Sequence, residues 1–268
     1  MSLLDSIILG IVQGITEFLP ISSSGHLILV REFLNISESG DILLFDVFVH
    51  VATALAVIVY FWRDIIYLLK GLIEKNDISY KKKSWKFSLA ILIGSIPAAI
   101  SGVLFEDRIQ DLFRSTSSMV WILLVGSILI ALAEIYTTRR KNNHESNISI
   151  PKGFLIGIFQ ALALMPGMSR SGATISGGLF LGLSRSQAAK FSFLLGLPVM
   201  LGAGFVKVIG GGLVISGVSM SMLLSGAITA FVVGLISVTL LMRLLKSKTL
   251  WMFVWYRLVL VAFLLIFI

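Results

Sequence analysis

Six stretches of this chain are apolar over about 20 consecutive residues, and they limit its fold more than any other feature. A helix of that length crosses the roughly 30 Å hydrocarbon core of a bilayer while satisfying its own backbone hydrogen bonds. The composition agrees, because 57% of the 268 residues are hydrophobic, only 13% are charged and the mean hydropathy is +0.97. We therefore predict an all-α integral membrane protein with spans near residues 44–62, 87–105, 119–137, 186–208, 222–243 and 250–268.

The positive charges of the chain are concentrated on one side of these spans. The net charge of +8 would suggest nucleic acid as a partner if the charges formed one patch. When the six spans are threaded alternately, fifteen Lys and Arg residues fall on one side and four on the other. Because cytoplasmic loops are rich in Lys and Arg, we predict a multi-pass protein of the cell membrane with both termini outside, and no nucleic-acid partner.

Two further segments, residues 3–34 and 153–183, are apolar but carry polar residues in their middle. The first contains QGITEFLPISSSGH at 13–26, and the second contains MPGMSRSGAT at 165–174. The two segments align at a constant offset of 147 residues. Six positions are identical, because Gly10, Ile11, Gln13, Ser22, Ser24 and Gly25 match Gly157, Ile158, Gln160, Ser169, Ser171 and Gly172.

This internal similarity predicts two repeats, about 1–140 and about 151–268, within a single membrane domain of residues 1–268. Each half would be a re-entrant helical hairpin followed by three transmembrane helices. Three crossings are an odd number, so the second half would be inverted relative to the first. Folds with inverted repeats and broken helices place polar sites where the repeats meet, so we expect the two hairpin tips to be in contact.

Prolines break the first helix of each hairpin, because a proline cannot donate a backbone hydrogen bond and disfavours helical geometry in the preceding residue. Pro20 predicts a break in the first hairpin, with a helix from about residue 3 up to it, and Pro166 predicts a break in the second. Serines then cap the short helix that follows. The amides at such a helix start, together with Arg170, favour an anion such as phosphate.

The first hairpin carries four polar side chains of catalytic type. Gln13 and Glu17 are four residues apart and share one face of a half-helix, and Ser23 and His26 share a face of the next. Ionisable residues inside a membrane are expensive to bury and usually mark function. The absence of cysteine excludes thiol chemistry and Cys-ligated metals.

QGITEFLPISSSGH together with PGMSRSGAT resembles the two signature motifs of the bacitracin-resistance type undecaprenyl-diphosphate phosphatase family. FWRD at 61–64 and FSFLLGLP at 191–198 extend the resemblance along the chain. The resemblance implies a membrane hydrolase that removes the terminal phosphate of undecaprenyl diphosphate and regenerates the lipid carrier of cell-wall synthesis. Its partners would be this polyprenyl lipid and the surrounding membrane lipids, and its site would face the outer side.

The family's acidic, serine and histidine positions fall on Glu17, Ser23 and His26 of this sequence. Gln13 stands where many members of the family have a second glutamate, and it is a candidate for an accessory role in the site. A metal ion bound here would therefore have one carboxylate ligand fewer than in those members. Phosphate contacts are expected from Ser22, Ser169, Arg170, Ser171, Gly172 and Thr174.

Two chemical routes are open. Ser23 is the first choice of nucleophile, activated by His26 as general base, and direct attack by His26 to give a phosphohistidine is the alternative. Arg170 completes the catalytic set by holding the diphosphate. Glu17 would orient His26 or help to bind a divalent cation, Mg²⁺ or Ca²⁺.

A transporter or flippase of polyprenyl phosphates is the rival function, because inverted repeats and an anion cradle suit transport as well as hydrolysis. Asp46 and His50 are four residues apart near the outer end of a span, and an interfacial or structural role is favoured over assistance to the site. His144 and the GGG run at 210–212 are interpreted as parts of connecting loops. The sequence leaves a homodimer open.

Overall fold

The computed structural model describes residues 1–36, 40–113, 115–140, 148–209 and 218–267, which form eleven α-helices and no β-strand. The fold is therefore all-α, as predicted. His144 and the GGG run lie outside the described residues. The helices are α1 (Leu3–Thr16), α2 (Ser23–Phe33), α3 (Gly40–Tyr60), α4 (Trp62–Ile73), α5 (Ile78–Phe113), α6 (Thr116–Arg139), α7 (Ile150–Leu162), α8 (Arg170–Phe180), α9 (Arg185–Ile209), α10 (Met220–Leu244) and α11 (Trp251–Phe267).

Five helices among the described residues are long and apolar enough to cross a membrane, which confirms a multi-pass protein. They are α3, α5, α6, α9 and α10. The sixth predicted span is present as α11, which has 17 residues and is about 25 Å long. The two segments with polar centres are helical hairpins, α1–α2 and α7–α8, and each is broken near its proline.

Two boundaries differ from the prediction. Helix α1 ends at Thr16 and does not continue to Pro20, because the chain needs several non-helical residues to reverse direction. Helix α5 runs unbroken over 36 residues, so it begins in the lysine-rich stretch before the predicted span at 87–105 and continues eight residues beyond that span. Lys and Arg end an apolar span without ending a helix, since both are good helix formers.

Serine caps begin many of these helices. The Ser2 hydroxyl accepts a hydrogen bond from the amide of Asp5, whose carboxylate accepts from the amide of Ser2, and together they form a capping box. Ser115, Ser149 and Ser219 cap α6, α7 and α10 in the same way as Ser2 caps α1.

Glycines let each hairpin pack closely against a span from the other half of the chain. Helix α1 lies on α10, where a Cβ at Gly10 would overlap the carbonyl oxygen of Gly226. Helix α7 lies on α5, where a Cβ at Gly157 would overlap the carbonyl oxygen of Gly94. Small residues drive such packing in membranes, where apolar side chains gain nothing by leaving lipid.

The short helix α8 is the most deeply buried element near the hairpin tips. Every residue from Ser171 to Leu179 is buried, whereas α2 buries only Gly25, Leu27 and Arg31. The main apolar cluster surrounds α8 and contains Phe191 and Phe193 of α9. The second hairpin is thus held inside the bundle, and the first has a more accessible side.

Candidate active site

The two hairpin tips have the same unusual backbone. Ser22 and Ser169 cap α2 and α8 with φ values of 76° and 73°, a region that residues other than glycine rarely adopt. Their hydroxyls accept hydrogen bonds from the amides of Gly25 and Gly172 at 3.4 and 3.1 Å. Strained backbone of this kind clusters at functional sites.

The tips touch each other, as the sequence predicted. A guanidinium nitrogen of Arg170, Nη2, lies 2.5 Å from Oε1 of Glu17. The Ser171 hydroxyl donates to the carbonyl oxygen of Leu19 at 3.1 Å. These contacts bring residues from opposite halves of the chain into one site.

Glu17 is the centre of this site and is only 6% exposed. Its Oε2 accepts hydrogen bonds from the Ser23 hydroxyl at 2.7 Å and from the side-chain amide of Gln13 at 3.1 Å. Nε2 of His50 lies 3.8 Å from the same oxygen. The carboxylate therefore contacts an alcohol, an amide, an imidazole and, through Arg170, a cation.

His26 does not form the expected pair with Ser23 in this structure. Its Nδ1 lies 2.8 Å from the carbonyl oxygen of Ser22, which only accepts, so Nδ1 carries the proton. Its Nε2 then accepts from the hydroxyl of Tyr256 at 2.7 Å. Both ring nitrogens are thus engaged away from Ser23, whose hydroxyl donates to Glu17.

Thr174 is also directed away from the cavity. Its hydroxyl donates to the carbonyl oxygen of Arg170 at 2.7 Å and lies 2.5 Å from the hydroxyl of Ser192. Bonding back to the preceding turn is the usual behaviour of threonine inside a helix. Of the expected phosphate contacts, Ser22, Ser169 and Arg170 line a cavity above the hairpin tips.

A cavity of about 350 Å³ opens above these tips. Its floor is polar, formed by Glu17, the serines of the first tip, Ser169 and Arg170. Its walls are apolar side chains of α2, α3 and α9, and three charged residues are also part of its lining: Arg31, Asp46 and Lys207. This combination suits a lipid with an anionic head group.

Arg170 keeps one donor free for a ligand. Its Nη1 is buried and has no hydrogen-bond acceptor among the described residues. This nitrogen lies against Gly196, where a Cβ would overlap the guanidinium. Gly196 lines the cavity, so the free donor is next to the space that a ligand would fill.

Sequence reasoning missed Arg257, which fastens both tips from α11. The side chain is fully buried, and its guanidinium donates to backbone carbonyls of both hairpins, those of Pro20, Gly167 and Met168, at 3.0 to 3.3 Å. It also donates to Leu123 and Ser127 of α6. An arginine within an apolar run is the signal that would have found it.

Tyr256 was also missed as a site residue, and for His50 assistance to the site was the less favoured of two interpretations. Asp46 and His50 both line the cavity, beyond the interfacial or structural role expected for them. Nδ1 of His50 lies 2.8 Å from the carbonyl oxygen of Asp46, so it carries a proton, and Nε2 is the ring nitrogen that faces Glu17. Sequence spacing gives no hint of this, since α3 is far from the hairpin in sequence.

Residues 6–263 match the family model of the bacitracin resistance protein BacA. The chain belongs to this family. The family predicted from the two signature motifs is thereby confirmed.

Proteins named undecaprenyl-diphosphatase are similar to the chain over nearly its whole length. The protein from Geobacter sulfurreducens is 42% identical, with 96% of this chain and 95% of the relative covered. That from Trichlorobacter lovleyi is 44% identical, and that from Methanosphaera stadtmanae is 39% identical, with 96% and 94% covered in both comparisons.

Proposed function

We propose that this chain is an undecaprenyl-diphosphatase, a membrane hydrolase that releases the terminal phosphate of undecaprenyl diphosphate and regenerates the monophosphate carrier for cell-wall synthesis. Family membership and relatives of that name support the activity. The observation that carries it is the meeting of Ser23, Glu17 and Arg170 at the floor of a cavity with apolar walls. A nucleophile, a base and a phosphate-binding cation are the parts that this reaction needs.

Ser23 is the nucleophile, and Glu17 is the base that its geometry favours. The hydroxyl proton passes to Glu17 as the oxygen attacks the terminal phosphorus. The bond from that phosphorus to the bridging oxygen breaks, and the monophosphate leaves with the bridging oxygen and its electron pair. Water then gives a proton to the base and attacks the phosphorus of the phosphoserine. The bond from that phosphorus to the Ser23 oxygen breaks, phosphate is released, and the Ser23 oxygen takes the proton back from the base.

Arg170, whose side chain is part of the cavity floor, binds oxygens of the transferring phosphoryl group, and the amides at the starts of α2 and α8 add partial positive charge. Ser22, Ser169, Ser171 and Gly172 contribute by fixing these helix starts. His50 accepts the proton from Glu17 between the two half-reactions, because its Nε2 is the imidazole nitrogen closest to the carboxylate. A phosphohistidine at His26 would first require the Tyr256 hydroxyl to leave Nε2.

A Mg²⁺ or Ca²⁺ ion would not be held here by protein groups alone. These ions take six or more oxygen ligands, and no cluster of three His, Cys, Asp or Glu occurs among the described residues. Glu17 is the one carboxylate at the floor, and Arg170 already binds one of its oxygens. A cation would therefore have to arrive with the diphosphate, whose oxygens would supply most of its ligands.

The site opens to the outer side, and the two halves form an inverted repeat. The excess of basic residues on the opposite side supports the orientation. The matching tips, and the reciprocal packing of α1 on α10 and α7 on α5, support the repeat. Single cysteines at Asp77 and Ser117 of this Cys-free chain should label from opposite sides with an impermeant reagent. Labelling from one side only would contradict this topology.

A flippase of polyprenyl phosphates is the second candidate, favoured by the repeated tips. The experiment is to incubate detergent-purified protein with a soluble short-chain prenyl diphosphate and to measure released phosphate. The wild type should release phosphate. In Ser23→Ala, kcat should fall by about 10⁴- to 10⁶-fold, the scale for loss of a nucleophile, while the variant still binds lipid. Ser24→Ala is the matched control. Absence of phosphate release by the wild type, with lipid transfer between leaflets intact, would select the flippase.

A further inference from the structure

A second and larger cavity, of about 680 Å³, lies at the other end of α3 and α9 from the active site. Lys190 in the early turns of α9 lines it, whereas Met200 and Lys207 of the same helix line the active-site cavity. Ten to seventeen helical residues separate these positions, which is about 15 to 25 Å along the helix axis. The two cavities therefore face opposite sides of the bundle.

One face of α5 supplies most of the polar lining of this second cavity. Six residues of α5 line the cavity, and five of them follow the spacing i, i+3, i+4, i+7 and i+8 of a single helix face: Ser79, Lys82, Lys83, Lys86 and Phe87. The sixth is Ser84. A neighbouring face of α5 holds α4 in place. The Tyr80 hydroxyl donates to the carbonyl oxygen of Tyr67, and Nε1 of Trp85 donates to that of Leu72 at 3.2 Å. These contacts fix α5 against α4, so Lys82, Lys83 and Lys86 face the cavity from a helix that is held in place.

The cavity carries an excess of positive charge. Its one carboxylate, Asp64, is paired with Lys190 at 2.5 Å, and this pair joins α4 to α9. Lys82, Lys83 and Lys86 form no ion pair with a carboxylate in the part of the chain that the structure describes. The Ser149 hydroxyl, which accepts from the amide of Lys152, keeps its own proton for a further bond.

The outer wall of the cavity has the features of a helix at a membrane surface. Helix α4 exposes large apolar side chains on one face, with Trp62, Leu69 and Ile73 being 57%, 54% and 78% exposed. Asp64 and Leu68 on its other side line the cavity. Helices of this kind lie at the level of the lipid head groups, where tryptophan is enriched. The lysines are consequently at the depth of lipid phosphates.

We propose that this cavity binds the phosphate group of an anionic phospholipid from the leaflet opposite to the active site. Three unpaired lysines and two serine hydroxyls offer donors to the phosphate oxygens, and Leu68 and Phe87 offer apolar contact to the lipid beyond it. The volume suits a lipid head group.

The experiment measures lipid retained by the purified full chain in native mass spectrometry, with phosphatidylglycerol or zwitterionic phosphatidylcholine added. The test variant combines Lys82→Gln, Lys83→Gln and Lys86→Gln. The matched control combines Lys75→Gln, Lys246→Gln and Lys248→Gln, which removes the same charge from exposed lysines outside the cavity. Phosphate release from the prenyl diphosphate, expected to be unchanged, reports that both variants are folded.

Phosphatidylglycerol should be retained in preference to phosphatidylcholine, and its affinity should fall at least about tenfold in the test variant and less than about twofold in the control. If inorganic phosphate displaces the lipid from the wild type, the cavity also binds free phosphate. If inorganic phosphate does not displace it, the cavity binds the phosphate only as part of a lipid head group. Equal losses in the two variants, or no preference for the anionic lipid, would overturn the proposal, because diffuse surface charge would then explain the binding.

Discussion

Ser22 and Ser169 occupy equivalent positions in the two hairpin tips, 147 residues apart, and their backbone angles differ little. The next residue differs completely, because Ser23 in the first tip corresponds to Arg170 in the second. Glu17 likewise corresponds to Leu164. The two tips therefore share one backbone conformation, and the side chains that they carry are different.

The two hairpins also differ in how deeply they are buried. Helix α8 is enclosed by the bundle, and α2 has an accessible side. Arg170 is therefore held by the buried hairpin, while Ser23, the proposed nucleophile, and Glu17, the proposed base, are on the hairpin that the cavity exposes. Neither hairpin is a site alone, so changes on the two sides should be coupled.

Among the changes that compare the two hairpins, the largest effect is expected at Arg170 of the second hairpin. Arg170→Lys keeps the charge but loses the planar fork, so kcat should fall strongly with less change in KM. The scale for complete loss of such an arginine is about 10³ to 10⁵, and lysine should cost less than alanine. Arg63→Lys, on exposed α4, is the control. Combining Arg170→Ala with Glu17→Gln should cost less than the sum of the single effects, and simple additivity would argue against one shared site.

The two histidines on the side of the first hairpin sharpen the comparison. His50→Ala should lower kcat by about 10²-fold or more, the scale for loss of a proton-transfer group. Added imidazole should restore part of this activity, because Nε2 of His50 faces open space beside Glu17. His26→Ala should not be rescued, since both nitrogens of His26 are bonded to protein groups. Rescue of His26→Ala but not of His50→Ala would show instead that His26 is the proton-transfer group.

A smaller effect tests how the scaffold positions Arg170. Gly196→Ala would push the guanidinium aside, and a displacement of about 1 Å can cost about 10²-fold in rate. Gly202→Ala on the same helix is the control, because no atom lies within 4 Å of the added carbon. Phosphate release should fall in the first variant only. Equal rates in both would mean that the position of Arg170 tolerates movement.

The smallest effect concerns Gln13 and Gln160, which are equivalent residues of α1 and α7. Gln13 donates to Glu17, whereas both polar atoms of the buried Gln160 lack a hydrogen-bond partner among the described residues. Gln160→Leu should leave the melting temperature in detergent unchanged or higher, because it removes unpaired polar atoms. Gln13→Leu should lower kcat. A clear loss of stability in Gln160→Leu would reveal a partner for its amide.

Much of the fold followed from local patterns. Apolar stretches predicted the spans, Pro20 and Pro166 predicted the breaks, and the serine caps were found at Ser22 and Ser169. The predicted helix boundaries were less accurate where charged residues end an apolar stretch but continue the helix, as at the lysine-rich start of α5. The internal repeat predicted that the two tips meet, and the structure joins them through Glu17 and Arg170.

The sequence by itself determined the membrane class, the broken hairpins and the residue types that meet at their tips, because these depend on hydropathy, proline and caps within one segment. Only the tertiary structure decided that Ser23 pairs with Glu17, that His50 enters the site and that Arg257 fastens both tips. Spacing places Ser23 and His26 on one helix face, but a side chain bonds to the partner that packing brings closest. For His26 that partner is Tyr256, 230 residues away.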